Sequence, residues 1–74
     1  MNKVRRKALQ EIQEQLDVLR ENLESIKEEE EEARDNIPES MTEKLEKAEE
    51  ACENLDSAVD SLEEVIGYIE EAME

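Results

Sequence analysis

The sequence predicts an all-α fold: an antiparallel two-helix coiled-coil hairpin that dimerises into a four-helix bundle. Three observations carry that expectation. Apolar residues alternate by steps of three and four through both halves of the chain, a single proline, Pro38, interrupts them at the middle, and the second half carries an extra apolar column spaced by seven. At 74 residues the chain is one domain at most, here a hairpin over 1–74 with a helix over about 3–35, a turn over about 36–40 and a helix over about 41–73.

In the first helix the apolar positions are Leu9, Ile12, Leu16, Leu19, Leu23 and Ile26, continuing through Ala33 to Ile37 with one interruption at Glu30. They form a heptad seam along one face. Pro38 then disfavours helical geometry at Ile37 and removes a backbone donor, which rules against one continuous helix. Two overlapping capping boxes, Asn36 with Glu39 and Ser40 with Glu43, offer alternative starts for the second helix. Its seam runs Met41, Leu45, Ala48, Cys52, Leu55, Val59, Leu62, Ile66, Ile69 and Met73.

Folding the two back antiparallel opposes heptad position a of one with d of the other. The layers are Leu9 with Ile69, Ile12 with Ile66, Leu16 with Leu62, Leu19 with Val59, Leu23 with Leu55, Ile26 with Cys52, Glu30 with Ala48, Ala33 with Leu45, and Ile37 with Met41; only Glu30 is polar. The e positions then oppose each other, pairing Lys27 with Glu49, Arg20 with Asp56 and Arg6 with Glu70. Exposed pairs are worth only about 0.2–1 kcal/mol each, but as a ladder they select register and orientation. Basic residues at one helix start (Arg5, Arg6, Lys7) and acidic ones at the other's finish (Glu70, Glu71, Glu74) each oppose their own helix dipole and neutralise one another side by side.

The extra column on the second helix is Ala51, Ala58, Val65 and Ala72, and the g column of the first opens with Ala8 and continues as Gln15, Asn22 and Glu29, with Val18 and Tyr68 nearby. A single seam does not require these residues. Small side chains let another helix approach closely, so Ala8, Ala51, Ala58, Val65 and Ala72 are the expected self-association residues. Alanine is also the strongest helix former, which alone accounts for part of the column. Gly67, within the helical repeat, marks either close helix approach or a fraying last turn and a half.

Composition narrows the function. The chain is 36% apolar with Tyr68 as its one aromatic, too little for a globular core around a ligand cavity. With no histidine and no enclosing pocket, catalysis is not expected, and neither is a cofactor or metal. The acidic run Glu28–Glu32 lacks the turn and the alternating ligand spacing of a calcium loop and reads as a solvated helix face, and Glu30 as a solvated glutamate over the small Ala48. Cys52, the single cysteine, reads as a small buried hydrophobe in a reducing cytoplasm. The basic start at Met1–Lys7 is not followed by the apolar run of a signal peptide, and no apolar stretch is long enough to cross a membrane. A net charge of −15 argues against nucleic acid or an anionic membrane as direct partners and favours a basic protein.

Acidic stripes on the outer faces, among them Glu14, Asp17, Glu21, Glu24 and Glu28 on the first helix and Glu50, Glu53, Asp60 and Glu64 on the second, are the expected surface for such a partner. The segment Asp35–Ser40 (DNIPES), flanked by an acidic helix and by ENLDSAVDSLEEVIGYIEEA at 53–72, resembles short acidic helical-hairpin proteins that recur without assigned function in Gram-positive gut bacteria, their phages and mobile elements. That resemblance implies a bacterial or phage cytoplasmic protein and brings no active-site residues. The function expected is a non-catalytic interaction or assembly module that self-associates through the Ala51/Ala58/Val65/Ala72 stripe. The alternative is an acidic decoy, imitating a nucleic-acid backbone in the basic groove of another protein.

Overall fold

The computed structural model describes residues 1–74. It contains two α-helices, α1 at Lys3–Asp35 and α2 at Thr42–Met73, and no strand. They pack antiparallel into a rod with extents of 58 × 15 × 12 Å, the two-helix hairpin that the heptad pattern predicts. The start of α1 is fixed by Asn2, whose Oδ1 accepts a hydrogen bond from the Arg5 N–H at 2.9 Å. This side-chain cap satisfies one of the N–H groups that a helix start leaves open.

The turn uses neither expected capping box. Asn36 is consumed as the C-cap of α1, its N–H donating to the carbonyls of Glu32 and Ala33 at 3.2 Å each. Ser40 falls one residue short of the cap of α2, which is Met41 with no side-chain cap bond. Pro38 explains the offset. Its carbonyl accepts the Met41 N–H at 2.9 Å, closing a turn that holds Ser40, and the helix can continue only beyond Met41. No residue takes a positive φ, so the hairpin closes without a glycine.

The core is one-sided. Ala48, Cys52, Val59 and Ile66 are the four buried residues, and all belong to α2. Their a and d neighbours Leu45, Leu55, Leu62, Ile69 and Met73 are half-buried. On α1 the a residues Leu9, Leu16, Leu23 and Glu30 are half-buried, as are the e residues Gln13, Arg20, Lys27 and Arg34. The d residues are not. Ile12, Leu19 and Ile26 are 45%, 56% and 52% exposed, and Ala33 is exposed as well.

This corrects the expected layers of Ile12 with Ile66, Leu19 with Val59 and Ile26 with Cys52. Helix α1 is turned about its axis so that the a and e columns, rather than a and d, face α2. The physical reason lies in the e residues Gln13, Arg20 and Lys27, which lie half-buried beside the seam while their polar ends reach carboxylates on α2. Two helices enclose one narrow seam, and the turn that seats one polar column displaces an apolar one.

Candidate functional site

Along one side of the hairpin the polar ends of the e column are engaged. Lys27 Nζ donates to Asp56 Oδ1 at 2.8 Å, Arg20 lies 3.7 Å from Glu63, and Gln13 Nε2 donates to Glu70 Oε1 at 2.7 Å. Each contact reaches one heptad farther along α2 than the ladder of Lys27 with Glu49 and Arg20 with Asp56 expected from the sequence. Side chains of a helix lean toward its N-terminus. In an antiparallel pair the two leans converge, so partners meet when each is displaced toward its own C-terminus.

Arg6 does not reach Glu70 either. Its Nε donates to the Met73 carbonyl at 3.0 Å and an Nη to the Met1 carbonyl at 3.2 Å. A cation from the start of α1 therefore caps the negative end of α2, which has no basic residue in its own last turn. Lys27 also lies 3.9 Å from Glu31, Arg20 3.7 Å from Glu24, and Arg34 3.2 Å from Asp35. The hydrogen bond to Asp56 holds the Lys27 ammonium above its ordinary pKa, against a smaller opposing effect of partial desolvation.

The expected acidic residues lie on the back of the rod and beside this ladder. Glu14, Glu21, Glu28, Glu50, Glu53, Asp60 and Glu64 are exposed, whereas Asp17 and Glu24 are half-buried. Glu24 already answers Arg20 within the hairpin. Glu53 lines a shallow groove of about 470 Å³ with Lys27, Glu31, Arg34, Glu49, Cys52 and Asp56. The run Glu28–Glu32 wraps around the helix, and no three carboxylate or thiol groups converge to hold a metal ion.

The opposite side is uncharged over most of its length. Ala8, Ala58, Val65 and Ala72 are exposed there, Val65 at 45%, and Ala51 is half-buried. The next column outward on α2, Asn54, Ser61 and Tyr68, carries no charge. Facing it from α1 are the displaced Ile12, Leu19 and Ile26, with Gln15, Val18, Asn22 and Ser25 beyond them. Val18 and Leu19 line a groove of about 560 Å³ with Glu11, Glu14 and Gln15.

Heptad spacing assigns the small column of α2 to this side but Ile12, Leu19 and Ile26 to the seam, so the large apolar column of α1 on this side is a finding of the structure. The signal was present in the e column. A uniformly polar, long-chained e column beside the seam competes with d for the space over α2. Gly67 is helical and half-buried, and a Cβ there would meet nothing within 4 Å, so close approach of α1 does not account for it.

Fold and surface together define a helical hairpin with an acidic back and an apolar front that is uncharged along its middle. No protein-family model, curated protein or solved structure matches the chain. No helix is long and apolar enough to cross a membrane.

Proposed function

We propose that the protein is a small, non-catalytic interaction and assembly module that works as a homodimer, two hairpins joining their apolar fronts into a four-helix bundle. The observation that supports it is the exposure of Ile12, Leu19 and Ile26 beside the Ala51/Ala58/Val65/Ala72 stripe. A compact monomer of this mass exposes about 4,700 Å² by the usual scaling of surface with mass. This hairpin exposes 5765 Å². The excess is comparable to what two helical partners bury when they associate. Replacing Ala58 with Glu sets a carboxylate in the middle of the front and should return the protein to a monomer; an unchanged molar mass in that variant refutes the reading.

A second reading is supported by the back of the rod, where acidic columns run along both helices and Glu14, Glu21, Glu28, Glu50, Glu53, Asp60 and Glu64 stay exposed. Such a surface suits the basic groove of a protein partner, as an inhibitor that imitates nucleic acid. The two readings use different faces. The decoy reading predicts a complex released by moderate salt and competed by DNA or RNA, and it fails if low-salt capture from a bacterial lysate retains no basic protein. The single thiol and the resemblance to short hairpins of Gram-positive bacteria and their phages support a bacterial or phage cytoplasmic setting, with no direct contact to nucleic acid or membrane.

A further inference from the structure

We infer that the partner on the apolar front is a second copy of this chain, set with both turns at the same end of the bundle so that α1 of each hairpin lies on α2 of the other. The inference rests on the homodimer reading above and specifies its geometry. Two face-to-face arrangements obey two-fold symmetry. In one the axis runs along the rod, the turns meet and α1 crosses onto the partner's α2. In the other the axis runs across the rod, the turns lie at opposite ends and each helix stacks on its own counterpart.

Side-chain size separates them. With α1 ending at Asp35 and α2 starting at Thr42, and with Arg6 at the start of α1 reaching the Met73 carbonyl at the end of α2, Ile12, Leu19 and Ile26 lie at about the levels of Val65, Ala58 and Ala51. With the turns together, each large residue of one copy meets a small residue of the other at its own level, which is knob-into-hole packing. With the turns apart, Leu19 meets Leu19 and Ala58 meets Ala58. One strip is then overfilled and the other left with a gap, both destabilising.

Charge separates them again. Near the turn the front carries Glu29 and Glu32 on α1 and Lys44 and Lys47 on α2, all exposed. None makes an ion pair within the hairpin, where Arg20, Lys27 and Arg34 supply the basic partners. With the turns together, Glu29 and Glu32 of each copy come level with Lys47 and Lys44 of the other. With the turns apart, Lys44 and Lys47 cover the uncharged Tyr68 and Ala72 and gain no partner, while Glu29 and Glu32 come level with Ala8 and Arg5, so only one of the two sets of charges is answered. A front 58 Å long and 12–15 Å across offers about 800 Å² per copy, the size of a standard specific interface.

Charge exchange tests the arrangement without touching the core. One variant carries Lys44→Glu and Lys47→Glu, the other Glu29→Lys and Glu32→Lys, and dimer dissociation constants are measured by sedimentation equilibrium at low salt. Each variant alone should dimerise about tenfold or more weakly than the unmodified chain, since every cross-copy pair becomes a like-charge contact. Their equimolar mixture should recover the unmodified affinity as a heterodimer, because both sets of pairs are restored. An unmodified dimer whose variants are unaffected, or whose mixture gains nothing over its components, overturns the turn-to-turn arrangement while leaving dimerisation intact. An unmodified chain that stays monomeric overturns the homodimer reading and this inference with it.

Discussion

Replacing Leu19 with alanine separates what the hairpin needs from what the proposed dimer needs. Leu19 is 56% exposed, so the isolated hairpin secures less than half of the roughly 1.5–3 kcal/mol that full burial of a leucine supplies. The unrealised part is about 1–1.5 kcal/mol per side chain, and two-fold symmetry counts it twice. Loss of both leucines should therefore weaken the dimer by about 2–3 kcal/mol, a rise of roughly 30- to 150-fold in its dissociation constant. The hairpin's own stability should fall by only about 1 kcal/mol, because the part removed from the seam is the smaller one. Sedimentation equilibrium reads the first quantity and urea unfolding monitored by circular dichroism, at concentrations below dissociation, reads the second. A dissociation constant within threefold of the unmodified value would show that Leu19 stays in water in the assembly, and the account of the front would fall. A hairpin that loses stability as severely as an Ile66→Ala variant would contradict the exposure of Leu19 instead.

Gly67→Ala should stabilise the hairpin by about 0.5–1 kcal/mol, because the added methyl meets open space and alanine restricts the unfolded chain; an unchanged or lowered melting temperature argues that this segment is not helical in solution. Asn2→Ala removes the side-chain cap on the Arg5 N–H and should cost about 1 kcal/mol, read as lost helicity and an earlier melt, and a null result would mean that the first turn is already frayed. The raised Lys27 pKa makes part of the stability alkaline-sensitive. Its contribution is complete below the ordinary lysine value of 10.5 and is lost as pH rises through the higher folded value. Melting temperature followed upward from about pH 9 should show that loss, and Lys27→Met should remove it; identical profiles for the two proteins exclude the Lys27–Asp56 contact.

Much of the fold was legible because few forces act on it. Three-four spacing from Leu9 to Ile26 and from Leu45 to Met73 leaves no other way to bury an apolar face, and Pro38 leaves no other place to turn. The opposite signs of the two e columns gave the orientation. Their partners came out one heptad away, because spacing along the axis says nothing of the lean of a side chain, and Lys27 meets Asp56 rather than Glu49. Capping boxes at Asn36 and Ser40 were misleading for a related reason. A local motif competes with the neighbouring one, and the C-cap of α1 claimed Asn36 first. Asn2 had the composition of a cap, yet nothing in the heptad pattern draws attention to a residue ahead of the seam. Least legible was the turn of α1 about its own axis, which trades Ile12, Leu19 and Ile26 for Gln13, Arg20 and Lys27 over α2. A two-helix seam can be centred on either pair of columns at small cost, and only the summed reach of several side chains decides it.

The central claim is that the apolar front is closed by a second copy of the chain. Molar mass by light scattering, across about a hundredfold range of concentration near physiological salt, addresses it directly. The account predicts a value that rises to and holds at twice the 8.6 kDa chain mass. A mass that remains at 8.6 kDa throughout would contradict it, and would mean that Ile12, Leu19 and Ile26 await a different helical protein.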